Sequence, residues 1–511
     1  MMNDEDKLLI IKGLFHNSSF IIRNSSFRIL AFKSHFQAIL AQKPYGLFAA
    51  VTVVSLLSAV AVQSPFPMAI PAVFLVLFLA ITDYRSLFFI LLAAIPFSVE
   101  YQFPNGFGTD LPTEPLTVGL MLIYFLTLFQ KKTPKNAETL RGALFFRHPI
   151  SLMLIVGLTW ATVATLSAVD TAIATKYMLA KIWYIVTFYY LTGAMLQKLS
   201  DVKRFVWTIF IPLSISVGIT IIRHAALDFS FSDVNYVMQP FFRNHVNYAC
   251  TIAIFLPFVG LGLAWAKQGS WQQRLLIAGG LLFLLGIQLS FTRAAYGAVV
   301  GALGYYFIIK WRLTKYVVAA AIVTIIGFVG YITSANKYLD YAPKFERAIT
   351  HQSFDNLLEA TSKGEDISTM ERVYRWVAGF RMVGERPLTG FGPNNFFDNY
   401  KRYTVTNFKT YVSDNSDGST VHCYYLLMAI EQGIVGSILF FALVFYVLLR
   451  GEQIYHKARS AWQRHTAMAV LLSFVTILIL ILINDLIETD KIGSFFYMNL
   501  AILTNMDVDE Q

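Results

Sequence analysis

The chain alternates between long hydrophobic runs and short charged connections, with one long exception. Runs fall at about Tyr45 to Val62, Phe66 to Thr82, Ser86 to Val99 and Pro115 to Phe129, then at Ile150 to Ser167, Tyr177 to Leu196 and Phe205 to Ile222. Others cover Val246 to Ala266, Leu275 to Phe291, Ala294 to Ile309 and Tyr316 to Thr333. After a polar gap come Cys423 to Leu449, Thr466 to Ile483 and the shorter Gly493 to Leu503. A crossing helix needs roughly 20 apolar residues, so the pattern predicts an all-α integral membrane protein of about 12–14 transmembrane helices, the short early runs leaving the count open. No internal repeat is visible.

The exception runs from Ser334 to Val421 and is too long for a passive connection. Inside it, Met370, Val373, Val377 and Phe380 recur at helical spacing, with Glu371, Arg372, Arg375 and Arg381 on other faces. This predicts an amphipathic helix, on the outer membrane face or under the loop's own fold. Pro387, Gly390, Gly392 and Pro393 predict a tight turn after it, leading to Asn394 to Phe397. The expected organisation is a cytoplasmic tail over residues 1–44, a bundle over 45–333, the long loop over 334–421, and final helices with a tail over 422–511.

Composition agrees: 56% of the 511 residues are hydrophobic and 14% charged, far from a soluble domain. The net charge of +10 is scattered through short loops rather than gathered on one patch, which argues for the positive-inside rule and against nucleic acid. Gln130 to Pro149 holds five bases against Glu138, whereas Glu100 to Glu114 holds Glu100, Asp110 and Glu114 and no base. The first is therefore expected inside and the second outside; alternation then puts Arg223 to His245, Thr292-Arg293 and the long loop outside. The cysteines, Cys250 and Cys423, lack metal-type spacing, and two packed thiols are favoured over a mutual disulfide.

Candidate chemistry is confined to few positions. His422 stands where the long loop meets an apolar run; it suits general-base work, or it merely caps the helix among headgroups. Arg293 lies between two apolar runs with almost no loop, a costly position that calls for a partner, either an acidic side chain or a phosphate. Arg223 and Arg243 are expected on the same side, and guanidinium forks match diphosphate oxygens. Asp110 and Glu114 are weaker candidates, read first as solvated loop acids, and Asp507-Val508-Asp509 reads as an acidic tail on the inner side. No Walker loop, zincin helix or hydrolase elbow is present.

Three stretches together resemble the O-antigen ligase and O-antigen polymerase superfamily of bacterial envelope glycan transferases. They are Ser290-Phe291-Thr292-Arg293-Ala294-Ala295-Tyr296; Arg372 through Trp376 to Arg386-Pro387-Leu388-Thr389-Gly390-Phe391-Gly392; and His422-Cys423-Tyr424-Tyr425-Leu426 through Glu431-Gln432-Gly433-Ile434-Val435-Gly436. The family has Asn after the histidine where this chain has Cys423. The resemblance implies a GT-C-like membrane fold in the bacterial inner membrane, with the long loop and active site facing the periplasm. It implies His422 as the catalytic residue and Arg293, with Arg243 or Arg223, on the diphosphate of the donor. The implied reaction moves a glycan from undecaprenyl diphosphate to a sugar hydroxyl of lipid A-core, with inversion and with no cofactor or metal. Implied partners are the lipid-linked donor, the glycan acceptor and membrane lipids. A polymerase using a lipid-linked repeat as acceptor, a protein-glycosylating relative, and a lipid-linked glycan flippase are the alternatives.

Overall fold

The computed structural model describes residues 44–62, 69–102, 108–129, 137–334, 367–409, 413–415 and 418–509. The expected tail over residues 1–44 thus lies, save its last residue, outside the described residues, as does the first part of the long loop. The chain divides into two compact units, residues 1–90 with 122–133, and residues 91–121 with 134–511.

In the first unit, α1 (Pro44–Ala61) packs on α2 (Ala69–Thr82). α3 (Tyr84–Ala94) and α4 (Thr113–Phe129) each run from one unit into the other. Between them the second unit holds a hairpin that the sequence pattern does not announce, β1 (Val99–Gln102) antiparallel to β2 (Gly108–Leu111), with Glu100 opposite Asp110.

The rest is helical: α5 (Ala137–Arg147), α6 (Pro149–Leu166), α7 (Thr171–Ile185), α8 (Leu199–Ala225), α9 (His245–Trp265), α10 (Trp271–Leu289), α11 (Arg293–Lys310) and α12 (Thr314–Thr333). Then follow α13 (Ile367–Glu385) from the long loop, α14 (Tyr424–Lys457), α15 (Ala461–Leu480) and α16 (Asp490–Val508). The helices begin where side chains satisfy the free amides of the first turn. His148 accepts from the Ile150 amide with Pro149 next in line, Asp170 accepts from Ala172 and Ile173, and Ser460 pairs with Gln463 in a capping box.

Among the described residues, seven helices are long and apolar enough to cross a membrane, and three shorter apolar helices stand at Ile70–Thr82, Tyr84–Phe97 and Thr113–Leu128. The expected runs have thus become helices almost one for one; the strict count is lower because the early helices are short and α11 begins and ends on a charge. Large apolar side chains face outward, as on a lipid-facing surface: Leu281, Val300 and Val323 are all more than half exposed. The core of the second unit is built by α9 and α15, with α11 and α16 against them.

α13 answers the question left open for it, since it packs on α14, Gly379 lying against Ile430 and Leu426. Its buried face is Met370, Tyr374, Val377, Ala378 and Met382, joined by the buried pair Glu371–Arg375 at 3.6 Å. Helical spacing alone does not reveal a charged pair on the inner face. Cys250 is buried, and both cysteines are free thiols.

Candidate functional site

The site is assembled where α9, α11 and α14 begin and α15 ends. At α11 a tight turn presents Arg293: Phe291 takes a left-handed φ of 52°, the Thr292 amide donates to Ser290 Oγ at 3.2 Å, and Thr292 Oγ1 donates to the His245 carbonyl at 3.3 Å. Arg293 is therefore the first residue of a long helix whose N-terminal amides favour anions.

Arg293 lines a cavity of about 580 Å³ together with Arg372, Ser368 and Trp376 of α13, His245 of α9 and Asn484 beyond α15. The remaining walls are mainly apolar, among them Val246, Ile479 and Leu482. No Asp or Glu is among its described lining residues. Arg372 Nη1 is steadied by Ser368 Oγ at 2.7 Å. Apolar walls around two guanidinium groups suit an anion carried on a lipid tail.

His422 is not itself among the lining residues, but two links tie its neighbours to residues that are. The cavity residue Trp376 donates its indole N–H to the Val421 carbonyl at 3.0 Å, one residue before His422. The cavity residue Asn484 directly precedes Asp485, whose Oδ1 is 3.8 Å from His422 Nδ1. Thr420 Oγ1 donates to the other carboxylate oxygen of Asp485 at 2.5 Å. Burial raises the Asp485 carboxyl pKa, but the imidazole of His422 and the Thr420 hydroxyl more than reverse this, so it lies below the usual carboxylate range. The carboxylate thus faces Nδ1 at ion-pair distance. His422 itself adopts a left-handed φ of 52°, turning the chain into α14.

The second and third sequence motifs meet at a break in α14. Gly433 has φ 70° and ψ −176°, a conformation closed to other residues, and the helix is interrupted there. The turn after α13 replaces the missing ladder: Phe391 and Gly392 amides donate to the Ile430 and Glu431 carbonyls, both at 2.9 Å. The Ile434 amide donates back to the Pro387 carbonyl at 2.8 Å, and Trp160 Nε1 donates to the Gln432 carbonyl at 2.8 Å. Gly390, at φ 70°, passes so close to the Ile430 carbonyl that a Cβ would sit 2.5 Å from its oxygen. This stitching holds the part of α14 around Ile430 to Ile434, in the helix that His422 precedes.

The other arginines lie elsewhere. Arg223 donates to the carbonyls of Gln239 and Tyr236 and rests over the Tyr236 ring, so its fork is spent on the loop between α8 and α9. Arg243 lines a second cavity, of about 620 Å³, with Nε 3.9 Å from the Glu100 carboxylate. Glu100, Asp110, Glu114, Glu488 and Asp490 all line that space. Its other cations are Lys176 and Lys491. Asp110 and Glu114 are therefore not simply solvated loop acids. Burial first, then the neighbouring Asp490, pushes the Asp110 carboxyl up to about 7. The segment from Ile483 to Lys491 lines the first cavity with its start and the second with its end, and Asp485 lies between.

Asp485 and Arg372 were not singled out by sequence. Asp485 looks like one more charge after an apolar run, and Arg372 like the polar face of a helix; only the close of α15 against His422 and the docking of α13 give them their places. Asp507, read as tail charge, is instead buried at the opposite end of α14, bound by Arg450 through both carboxylate oxygens, at 2.6 and 2.7 Å, and by His148 at 2.9 Å. Among the described residues no group of three or more His, Cys, Asp or Glu side chains is arranged to hold a metal ion.

The fold and site define a multi-pass, all-α membrane protein with a cationic, apolar-walled cavity beside a histidine–carboxylate pair. Residues 278–441 match the O-antigen ligase family, so about a third of the chain is similar to that family. The matched stretch contains Arg293, Arg372, His422 and the break at Gly433. No curated protein matches the chain.

Proposed function

We propose that the protein transfers a glycan from undecaprenyl diphosphate to a sugar hydroxyl, at the outer face of the bacterial inner membrane, with lipid A-core as the acceptor. The observation that carries this reading is the cavity that brings Arg293 and Arg372 together, with no Asp or Glu among its described lining residues, close to His422 and its facing carboxylate Asp485. The diphosphate sits between the two guanidinium groups and the start of α11, and the polyprenyl chain lies along the apolar wall. The acceptor oxygen attacks the anomeric carbon from the side opposite the diphosphate. The bond from that carbon to the phosphate oxygen breaks, its electron pair stays on the diphosphate, and the hydroxyl proton passes to His422 Nε2. The anomeric centre inverts. The leaving group is already charged, so fixed guanidinium charge meets the demand that arises as the bond breaks. Arg243 and Arg223, the other arginines implied by the resemblance, have their side chains turned to Glu100 and to backbone carbonyls, which favours Arg372 as the partner of Arg293.

The test is release of undecaprenyl diphosphate by the purified chain in liposomes, with lipid A-core, a second lipid-linked repeat, or no acceptor. Release only with lipid A-core supports the ligase; release with the lipid-linked repeat makes it a polymerase. An intact donor that crosses the bilayer makes it a flippase and ends the transferase reading.

A further inference from the structure

We propose that the second cavity, between the β1–β2 hairpin, the start of α9 and the Glu488–Lys491 segment, is a binding site for the terminal sugars of the acceptor, selecting neutral or amine-bearing rings over anionic ones. The proposal deepens the transferase reading and rests on it for the identity of the occupant. Its volume of about 620 Å³ falls within the roughly 300–1,000 Å³ of small-molecule sites.

Three observations converge on a polyhydroxylated ligand. First, Asn247 lines the cavity and is 8% exposed, yet its side-chain oxygen has no hydrogen-bond partner among the described residues. A buried amide oxygen left unpaired costs free energy, and a ligand hydroxyl restores the bond. Second, the carboxylates of the lining outnumber its cations, so the space repels a diphosphate but accepts hydrogen bonds from sugar hydroxyls and ammonium groups. The first cavity has the opposite character, so the two sort an anionic donor from a hydroxyl-bearing acceptor. Third, the two spaces are lined by opposite ends of one short segment, Ile483 to Lys491, so an occupant of the second is held by the same stretch of chain as an occupant of the first. Asp110, held partly protonated near neutral pH, adds a donor among the carboxylates of this wall.

The experiment is saturation-transfer NMR on the full chain in detergent with maltotriose, a glucosamine trimer and trigalacturonate as probes. Maltotriose and the glucosamine trimer are expected to bind and trigalacturonate not, with inorganic pyrophosphate, the probe for the first cavity, failing to displace them. Asn247→Leu is expected to weaken maltotriose about tenfold, the loss of one hydrogen bond. Glu100→Gln, at a side chain 43% exposed and so safe for folding, is expected to weaken the glucosamine trimer more than maltotriose. Binding that is indifferent to both substitutions, or that prefers trigalacturonate, overturns the proposal. In the transfer assay Asn247→Leu should raise the acceptor KM and leave the donor KM unchanged. Transfer with an unchanged acceptor KM removes this site and leaves the transferase reading standing. Asn247-dependent sugar binding by a chain that transfers to no acceptor does the reverse.

Discussion

The amide of Gly392 donates to the carbonyl of Glu431 at 2.9 Å, joining the turn after α13 to a helix that has just broken. The bond is one of a set: where an unbroken α14 would link Ile434 to Ile430, Ile434 donates instead to Pro387, and Ile430 accepts from Phe391. Two glycine-bearing motifs about 40 residues apart are thus the halves of one joint.

Gly433→Ala tests that joint. Its conformation is essentially reserved for glycine, and a Cβ there would collide with the Leu388 carbonyl. The substitution is expected to destabilise by about 3 kcal/mol or more and to lower both the melting temperature in detergent and the yield of folded protein. Gly304→Ala, in the middle of α11 with open space around it, should be neutral or slightly stabilising.

For His422 the backbone and the ring must be separated. His422→Asn suits the left-handed φ better than most residues, so it should fold normally while transfer falls by about 10²-fold or more. His422→Ala should lose as much activity and also some thermal stability. Asp485→Asn keeps the hydrogen bond from Thr420 but removes the negative charge that faces the imidazole, and an intermediate loss of kcat, about tenfold, is expected. Polyprenyl diphosphate release measured beside melting curves distinguishes these cases; full activity in His422→Asn would remove the base.

Arg293→Lys and Arg372→Lys keep the charge and lose the fork. Each should raise the donor KM about tenfold or more while leaving melting unchanged. Arg223→Lys breaks contacts with the loop after α8 and should touch stability before donor affinity.

Asp110 ties stability to pH. Its folded pKa, about 7, lies above its ordinary value, so between roughly pH 4 and pH 7 the folded chain holds a proton that the unfolded chain releases. The stabilisation is fully present at the acid end and is lost as pH rises through 7. Asp110→Asn should flatten this part of the melting-temperature profile, and an unaltered slope would place the proton on another group.

Much of the fold was legible from hydropathy because lipid exposure makes each crossing an apolar run, and the run ends matched the helices to within a few residues at α9, α11 and α12. Arg293 and His422 stood out for the same reason: a polar side chain at the edge of an apolar run is conspicuous. The hairpin at Val99–Leu111 was not legible, since its strands are short and mixed in character. Nor were Asp485 and Arg372, whose significance comes from contacts with segments far away in sequence. Asp507 misled for a related reason, because burial against Arg450 and His148 cannot be read from a cluster of acids near a chain end.

The break at Gly433 has a mechanical consequence. An uninterrupted α14 would be one rod, and the position of His422 would be set by the packing of its lower turns. Divided, its first turns are fastened by backbone bonds to the 387–392 turn, and through Trp160 to α6, as firmly as to their own continuation. The histidine therefore answers to the 387–392 turn as well as to the bundle, and whatever reorders that turn moves His422 with it.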